Sequence, residues 1–227
     1  MKRFCCATMD FSVFFEKGTY SPAPLQGNGF FVSGARSCGK TSFTFQAVIN
    51  TILDGGSVLV LCSESSIYSK VPQPFVPLAS LPEEALQRIE FIYINRWSEA
   101  VEELAMFDKV DEVPSLIVVD DDEFADAAEE GNTRSTANIG GVGVPLCLSY
   151  LENMKQWRQR NGKPFFYIAV SNTICVSEVH ALPLPYAVFP LVRVWVGASG
   201  MVCVTTTAED GASIPSFTLR WEDGLKL

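Results

Sequence analysis

The sequence predicts an α/β domain: a mainly parallel sheet flanked by helices, with antiparallel strands added at the C-terminal end. Three observations carry this expectation. Short, wholly apolar runs such as Ser57–Cys62 suit strands covered on both faces. Segments of helical length, with glycine stop signals, alternate with those runs. A glycine-framed motif, Gly34-Ala-Arg-Ser-Cys-Gly-Lys-Thr-Ser42, joins the first strand to the first helix.

The chain has 227 residues, 48% hydrophobic and 19% charged, which fits one domain with a sizeable core. Residues 1–26 mix aromatics with Gly18, Pro22 and Pro24 and read as an irregular arm; 27–227 form the domain. Gly29–Ser33, centred on Phe30-Phe31-Val32, is the first buried strand. Thr41–Leu53 suits a helix that Gly55-Gly56 ends, and Ser57–Cys62 is the second strand. Residues 66–82 carry Pro72, Pro74, Pro77 and Pro82 and read as loop, with one or two helical turns over Pro82–Arg88.

Ile89–Ile94 reads as a strand, and Ser98 starts a helix whose Glu99, Glu102 and Glu103 complement the helix dipole. Leu116–Val119 is another apolar strand, running into Asp120-Asp121-Asp122. Glu123–Val144, acidic and then rich in Gly, Asn and Thr, reads as a long loop. Leu146–Arg160 is a helix closed by Asn161-Gly162, and Phe165–Val170 is a strand ending at Ser171-Asn172-Thr173. Leu191–Val196, Met201–Thr206 and Phe217–Trp221 alternate more and are separated by glycines, so they are expected as the antiparallel additions.

Composition excludes several function classes. No run approaches the ~20 apolar residues that cross a bilayer, so no membrane role is expected. Seven cysteines without a C-x-x-C pair, and one histidine, His180, leave no material for a disulfide framework, a zinc site or a Ser/His/Asp triad. A net charge of −9 disfavours strong binding of nucleic acid by this chain alone.

The spacing G-x-x-x-x-G-K-[ST] has a mechanical reason. Gly34 and Gly39 let the backbone turn its N–H groups inward, so Ala35, Arg36, Ser37, Cys38 and Ser42 complete a phosphate cradle. Lys40 brings positive charge to the β/γ-phosphates, and the Thr41 hydroxyl can ligate Mg²⁺. Asp120 ends an apolar strand where a carboxylate that supports the metal belongs. The expected cofactors are ATP and Mg²⁺. Glu64, just past the second strand, is a candidate for orienting the hydrolytic water, and Asn172 for sensing the γ-phosphate.

The order of P-loop, strand ending Leu-Cys-Ser-Glu64, strand ending Asp120, helix, and strand ending Ser-Asn172 resembles the RecA-like recombinase ATPase core from about Gly29 onward. That resemblance implies a RecA-like P-loop NTPase with Lys40 and Glu64 catalytic. Within the family the chain is similar to the recombinase paralogues typified by the small ATPase-like subunit of the animal Shu complex. Arg88-Ile-Glu-Phe-Ile-Tyr93 and Pro114-Ser-Leu-Ile-Val-Val-Asp120 carry that likeness. It implies weak ATPase activity, a SWIM-domain zinc-finger partner, contact with the recombinase or other paralogues, and support of recombinase filaments on single-stranded DNA in the nucleus. The segments matching the family's DNA-channel loops, 122–145 and 173–188, hold Arg134 as their one Lys or Arg, so DNA contact is expected through the complex. Phe124-Ala-Asp-Ala127 matches the short Phe-x-x-Ala pattern by which recombinases recognise one another. The alternative is an interaction module whose nucleotide is not hydrolysed.

Overall fold

In the computed structural model the described residues are 11–19, 29–107, 113–126, 143–172, 189, 191–197, 199–205 and 216–227. A 3-10 turn, Phe11–Phe14, comes first, then strand β1 (Gly29–Gly34), helix α1 (Lys40–Leu53) and strand β2 (Val58–Cys62). Two short helices, α2 (Glu64–Ser69) and α3 (Glu83–Leu86), precede β3 (Ile89–Tyr93) and α4 (Trp97–Met106). Strand β4 (Leu116–Asp120), helix α5 (Gly143–Arg160) and strand β5 (Phe166–Ser171) follow. The C-terminal strands are β6 (Leu191–Val196), β7 (Met201–Thr205), β8 (Ser216–Thr218), β9 (Arg220–Trp221) and β10 (Leu225–Lys226).

Eight strands form one sheet in the order β3-β2-β4-β5-β1-β6-β7-β8, and β9 and β10 make a separate hairpin. Pairings from β3 through β6 are parallel, while β6–β7 and β7–β8 are antiparallel. This is the architecture expected from the sequence, except that the expected strand Phe217–Trp221 is split between β8 and, in the hairpin, β9, and with two further corrections. Leu191–Val196 pairs parallel with β1, so the antiparallel part begins one strand later than its alternation suggested. The polar member of that alternation, Arg193, is buried and donates from Nε to Ser33 Oγ at 3.3 Å, so it is no sign of a solvent face. The second correction concerns 66–69, which end α2 instead of starting a loop; the prolines that argued for a loop begin only at Pro72.

The two-residue period of the strands divides the core. Phe30, Val32, Val58, Val60, Leu116, Val118, Ile168 and Val170 point to the face covered by α1, with Phe43, Ala47, Val48 and Ile52. Phe31, Leu59, Leu61, Ile117, Val119, Tyr167 and Ala169 point to the other face, with Trp97 and Leu104 of α4 and Leu148, Leu151 and Met154 of α5. Both faces are covered, which is why the parallel strands read as continuous apolar runs.

The segment Phe11–Phe15 belongs to the first layer. Phe11, Phe14 and Phe15 are fully buried, and the Phe14 ring stacks on Phe43 with centroids 4.7 Å apart. Asn50 Nδ2 donates to Val13 O at 2.8 Å and Phe15 O at 2.7 Å, clamping the turn to α1. Buried Cys38, Cys62 and Cys147 act as small hydrophobes; burial pushes the Cys62 thiol to about 12, with Asp120 adding to the shift. No helix among the described residues is long and apolar enough to cross a membrane.

Candidate nucleotide site

Parallel strands bring their carboxyl ends to one edge of the sheet, so residues far apart in sequence meet there. The register pairs Cys62 with Asp120, Asp120 with Val170, and Ser33 with Ser171. The loop after β1, the end of β4 and the residue after β5 therefore face a common space.

The loop between β1 and α1 takes a shape that glycine makes possible. Gly34 has φ 154°, and a Cβ there would lie 2.1 Å from Val196 O. Gly39 has φ 97°, and a Cβ there would lie 2.0 Å from the Trp221 ring. Side chains at either position would displace the loop or fill its mouth. Gly39 also provides no side chain to cap α1, so the N–H groups of the first turn stay available at the positive end of the helix dipole.

Lys40 is buried, and its ammonium donates to Ala35 O and to Asn172 Oδ1, both at 2.7 Å. Thr41 Oγ1 donates to Asp120 Oδ2 at 2.8 Å. Ser42 Oγ accepts from Gln73 N at 2.9 Å, tying the first turn of α1 to the proline-rich segment. Arg36 pairs with Asp122 at 3.4 Å and with Glu123 at 3.8 Å. A cavity of about 400 Å³ opens here; Lys40, Thr41, Lys70, Asp122, Asn172 and Trp221 are among its lining residues.

The three consecutive aspartates have three environments. Asp120, whose pKa burial raises, receives the Thr41 hydroxyl and the Asp122 N–H, which oppose the shift. Asp121 is fully buried; burial pushes it to about 7 although Ser171 Oγ donates to its Oδ2 at 2.7 Å. Its Oδ1 has no hydrogen-bond partner among the described residues. Burial also acts to raise Asp122, but the hydrogen bond from Asn172 and the charges of Lys70, Arg36 and Lys40 outweigh it and hold the carboxyl below its ordinary value. Asn172 thus bridges the site, with Oδ1 accepting from Lys40 and Nδ2 donating to Asp122 Oδ1 at 2.7 Å.

Of the residues singled out in the sequence, Lys40, Thr41, Asp120 and Asn172 come together. Glu64 does not line the cavity: it opens α2 with an exposed side chain. Asp122, Lys70 and Trp221 line the cavity without having been singled out. The acidic run assigned a role to Asp120 and none to Asp122, and nothing local marks Lys70 or Trp221. Phe124 of the Phe-x-x-Ala match is buried against Trp97, with ring centroids 5.8 Å apart, so its ring is occupied in this chain's own core. His180, Ala127, Arg134 and the 173–188 segment lie outside the described residues.

The cradle fits a phosphate chain: uncapped helix N–H groups, a buried ammonium and a glycine-built loop converge on it. Thr41 and Asp120 supply hard oxygen donors suited to Mg²⁺. No group of three or more His, Cys, Asp or Glu among the described residues could hold a metal ion alone.

No family model matches the chain, and no curated protein does. Among solved structures it is similar to the crystal structure of the RadB recombinase, with 17% identity over 88% of this chain and 90% of that one, and a TM-score of 0.49. A likeness this distant has no bearing on function, which has to be read from the side chains of the site.

Proposed function

We infer that the chain binds a nucleoside triphosphate, ATP in the first instance, with Mg²⁺. The observation that carries this reading is the pair of contacts that close the loop: Lys40 to Asn172 and Thr41 to Asp120, spanning 132 and 79 residues of sequence. A structural lysine could be exposed at little cost; this one is buried, with polar partners holding it at the mouth of a phosphate-sized cradle.

In this reading Lys40 and the first-turn N–H groups of α1 bind and orient the phosphates. Thr41 and Asp120 would hold the Mg²⁺, which when bound neutralises charge developing on the phosphoryl oxygens. Asn172 positions the Lys40 ammonium and ties it to Asp122. Slow hydrolysis, with Glu64 or Asp122 orienting water, completes the proposal. Mg²⁺-dependent ATP binding by the purified chain, lost in Lys40→Ala, is the expected result; equal binding by that variant would remove the reading.

The finer proposal is a recombinase paralogue acting in a hetero-complex. It would have a SWIM-domain zinc-finger partner and would support recombinase filaments on single-stranded DNA during homologous recombination in the nucleus. Its support is the sequence resemblance, together with a net charge of −9 that favours DNA contact through partners. Co-purification of a SWIM-domain protein from cells tests it.

The exposed position of Glu64 outside the cavity favours a second reading, in which bound nucleotide stabilises a partner interface without turnover. Negligible hydrolysis by the unmutated protein, together with partner loss in Lys40→Ala, would select it.

A further inference from the structure

We propose that Trp221 is the platform on which the base of the nucleotide stacks, and this rests on the reading of the P-loop as a triphosphate site. Trp221 lines the same cavity as Gly39, Lys40, Thr41 and Ser42. Its six-membered ring lies against Gly39, where Cζ2 and Cη2 would be 2.0 and 2.6 Å from a Cβ at that position. The missing side chain of Gly39 is therefore what admits the indole to the mouth of the phosphate loop.

The ring is also available. Trp221 is 43% exposed, whereas Trp97 is fully buried. Val71 is its one apolar companion in the cavity lining, and the remaining lining residues are polar, charged or glycine. The cavity thus has a charged end suited to phosphates and an aromatic wall suited to a flat, weakly polar ring, the division expected of a nucleotide pocket.

The platform is held in place from beneath. Trp221 pairs with Leu225, which is buried in the first core layer. Gly224 closes the hairpin at φ 111°, with Pro74 O only 2.7 Å from where a Cβ would stand. The hairpin is therefore pressed onto the same proline-rich segment that Ser42 grips through Gln73. One continuous set of contacts fixes both the start of α1 and the indole.

Stacking on an indole uses the π-face that every base presents, so it adds affinity with little base discrimination. ATP and GTP should both benefit, and inorganic tripolyphosphate should not. The experiment measures binding of these three compounds, each with Mg²⁺, to the full chain and to Trp221→Ala, Trp221→Phe and Lys40→Ala. Trp221→Ala is expected to weaken ATP and GTP by about five- to a hundredfold, leaving tripolyphosphate unchanged. Trp221→Phe should retain most of the affinity, and unchanged tripolyphosphate binding by Trp221→Ala shows that its loss of nucleotide is not a folding defect. Lys40→Ala should weaken all three. Lys40-dependent ATP binding that Trp221→Ala leaves alone or tightens overturns the platform only. Equal weakening of tripolyphosphate and ATP by Trp221→Ala also overturns it, because the ring would then be shaping the phosphate loop. ATP binding indifferent to Lys40→Ala overturns the P-loop reading and the platform together.

Discussion

Asp121 offers a measurement dominated by burial, which outweighs the hydrogen bond from Ser171 and the charge of Lys40. It is fully buried, and its carboxyl is pushed from the ordinary 3.8 to about 7. Between those two values the native protein keeps a proton that the unfolded chain has released. Asp121 therefore favours the fold fully below pH ~4, and that contribution fades as pH rises through 7. One proton bound in the native state alone gives a slope of about −1.4 kcal/mol per pH unit, and the whole interval is worth on the order of 4 kcal/mol. Asp121→Asn keeps an oxygen that can accept from Ser171 but cannot ionise. Urea denaturation of both proteins from pH 5 to pH 8 should show the native protein losing stability with pH, by roughly 2–3 kcal/mol relative to the variant by pH 7. The absolute stability of the variant is not the readout, because its amide places new donors in a fully buried site; the difference in slope is. Parallel pH profiles for the two proteins would mean that Asp121 is ionised in the fold, and the burial argument would fail.

Two further expectations follow from contacts in the same region. Asn172→Ala removes the acceptor of Lys40 and a donor to Asp122, both buried, and should cost about 1.5–3 kcal/mol in denaturant-induced unfolding; no loss would mean that the bridge is not formed in solution. Phe14→Ala deletes a fully buried ring stacked on Phe43 and edge-on to Phe30, so a loss of about 3–5 kcal/mol is expected, and a loss below 1 kcal/mol would show that residues 11–15 are not anchored in the core.

The fold was legible in the sequence wherever the cause was local. The parallel strands announced themselves because both their faces are covered, and the glycine-framed loop because its backbone shape needs glycine at fixed positions. Asp120 could be found as the end of an apolar strand, and Asn172 as the residue after another. Where pattern failed, packing had overruled it. Arg193 gave Leu191–Val196 the alternation of a half-solvated strand, yet it lies buried beside Ser33 in a parallel pairing.

The candidate site divides along the same line. The sequence by itself determined that a phosphate cradle with a lysine and a metal-binding hydroxyl opens the first helix, because that chemistry is written within nine consecutive residues. Only the tertiary structure told apart the two aspartates that follow Asp120: one sealed in the core, one drawn down in pKa among Asn172, Lys70, Arg36 and Lys40. Only it set Trp221 against Gly39, 182 positions away in the sequence. The physical reason is that a side chain's protonation and reach depend on the dielectric and neighbours around it, and distant segments supply those only once the sheet has brought their ends together.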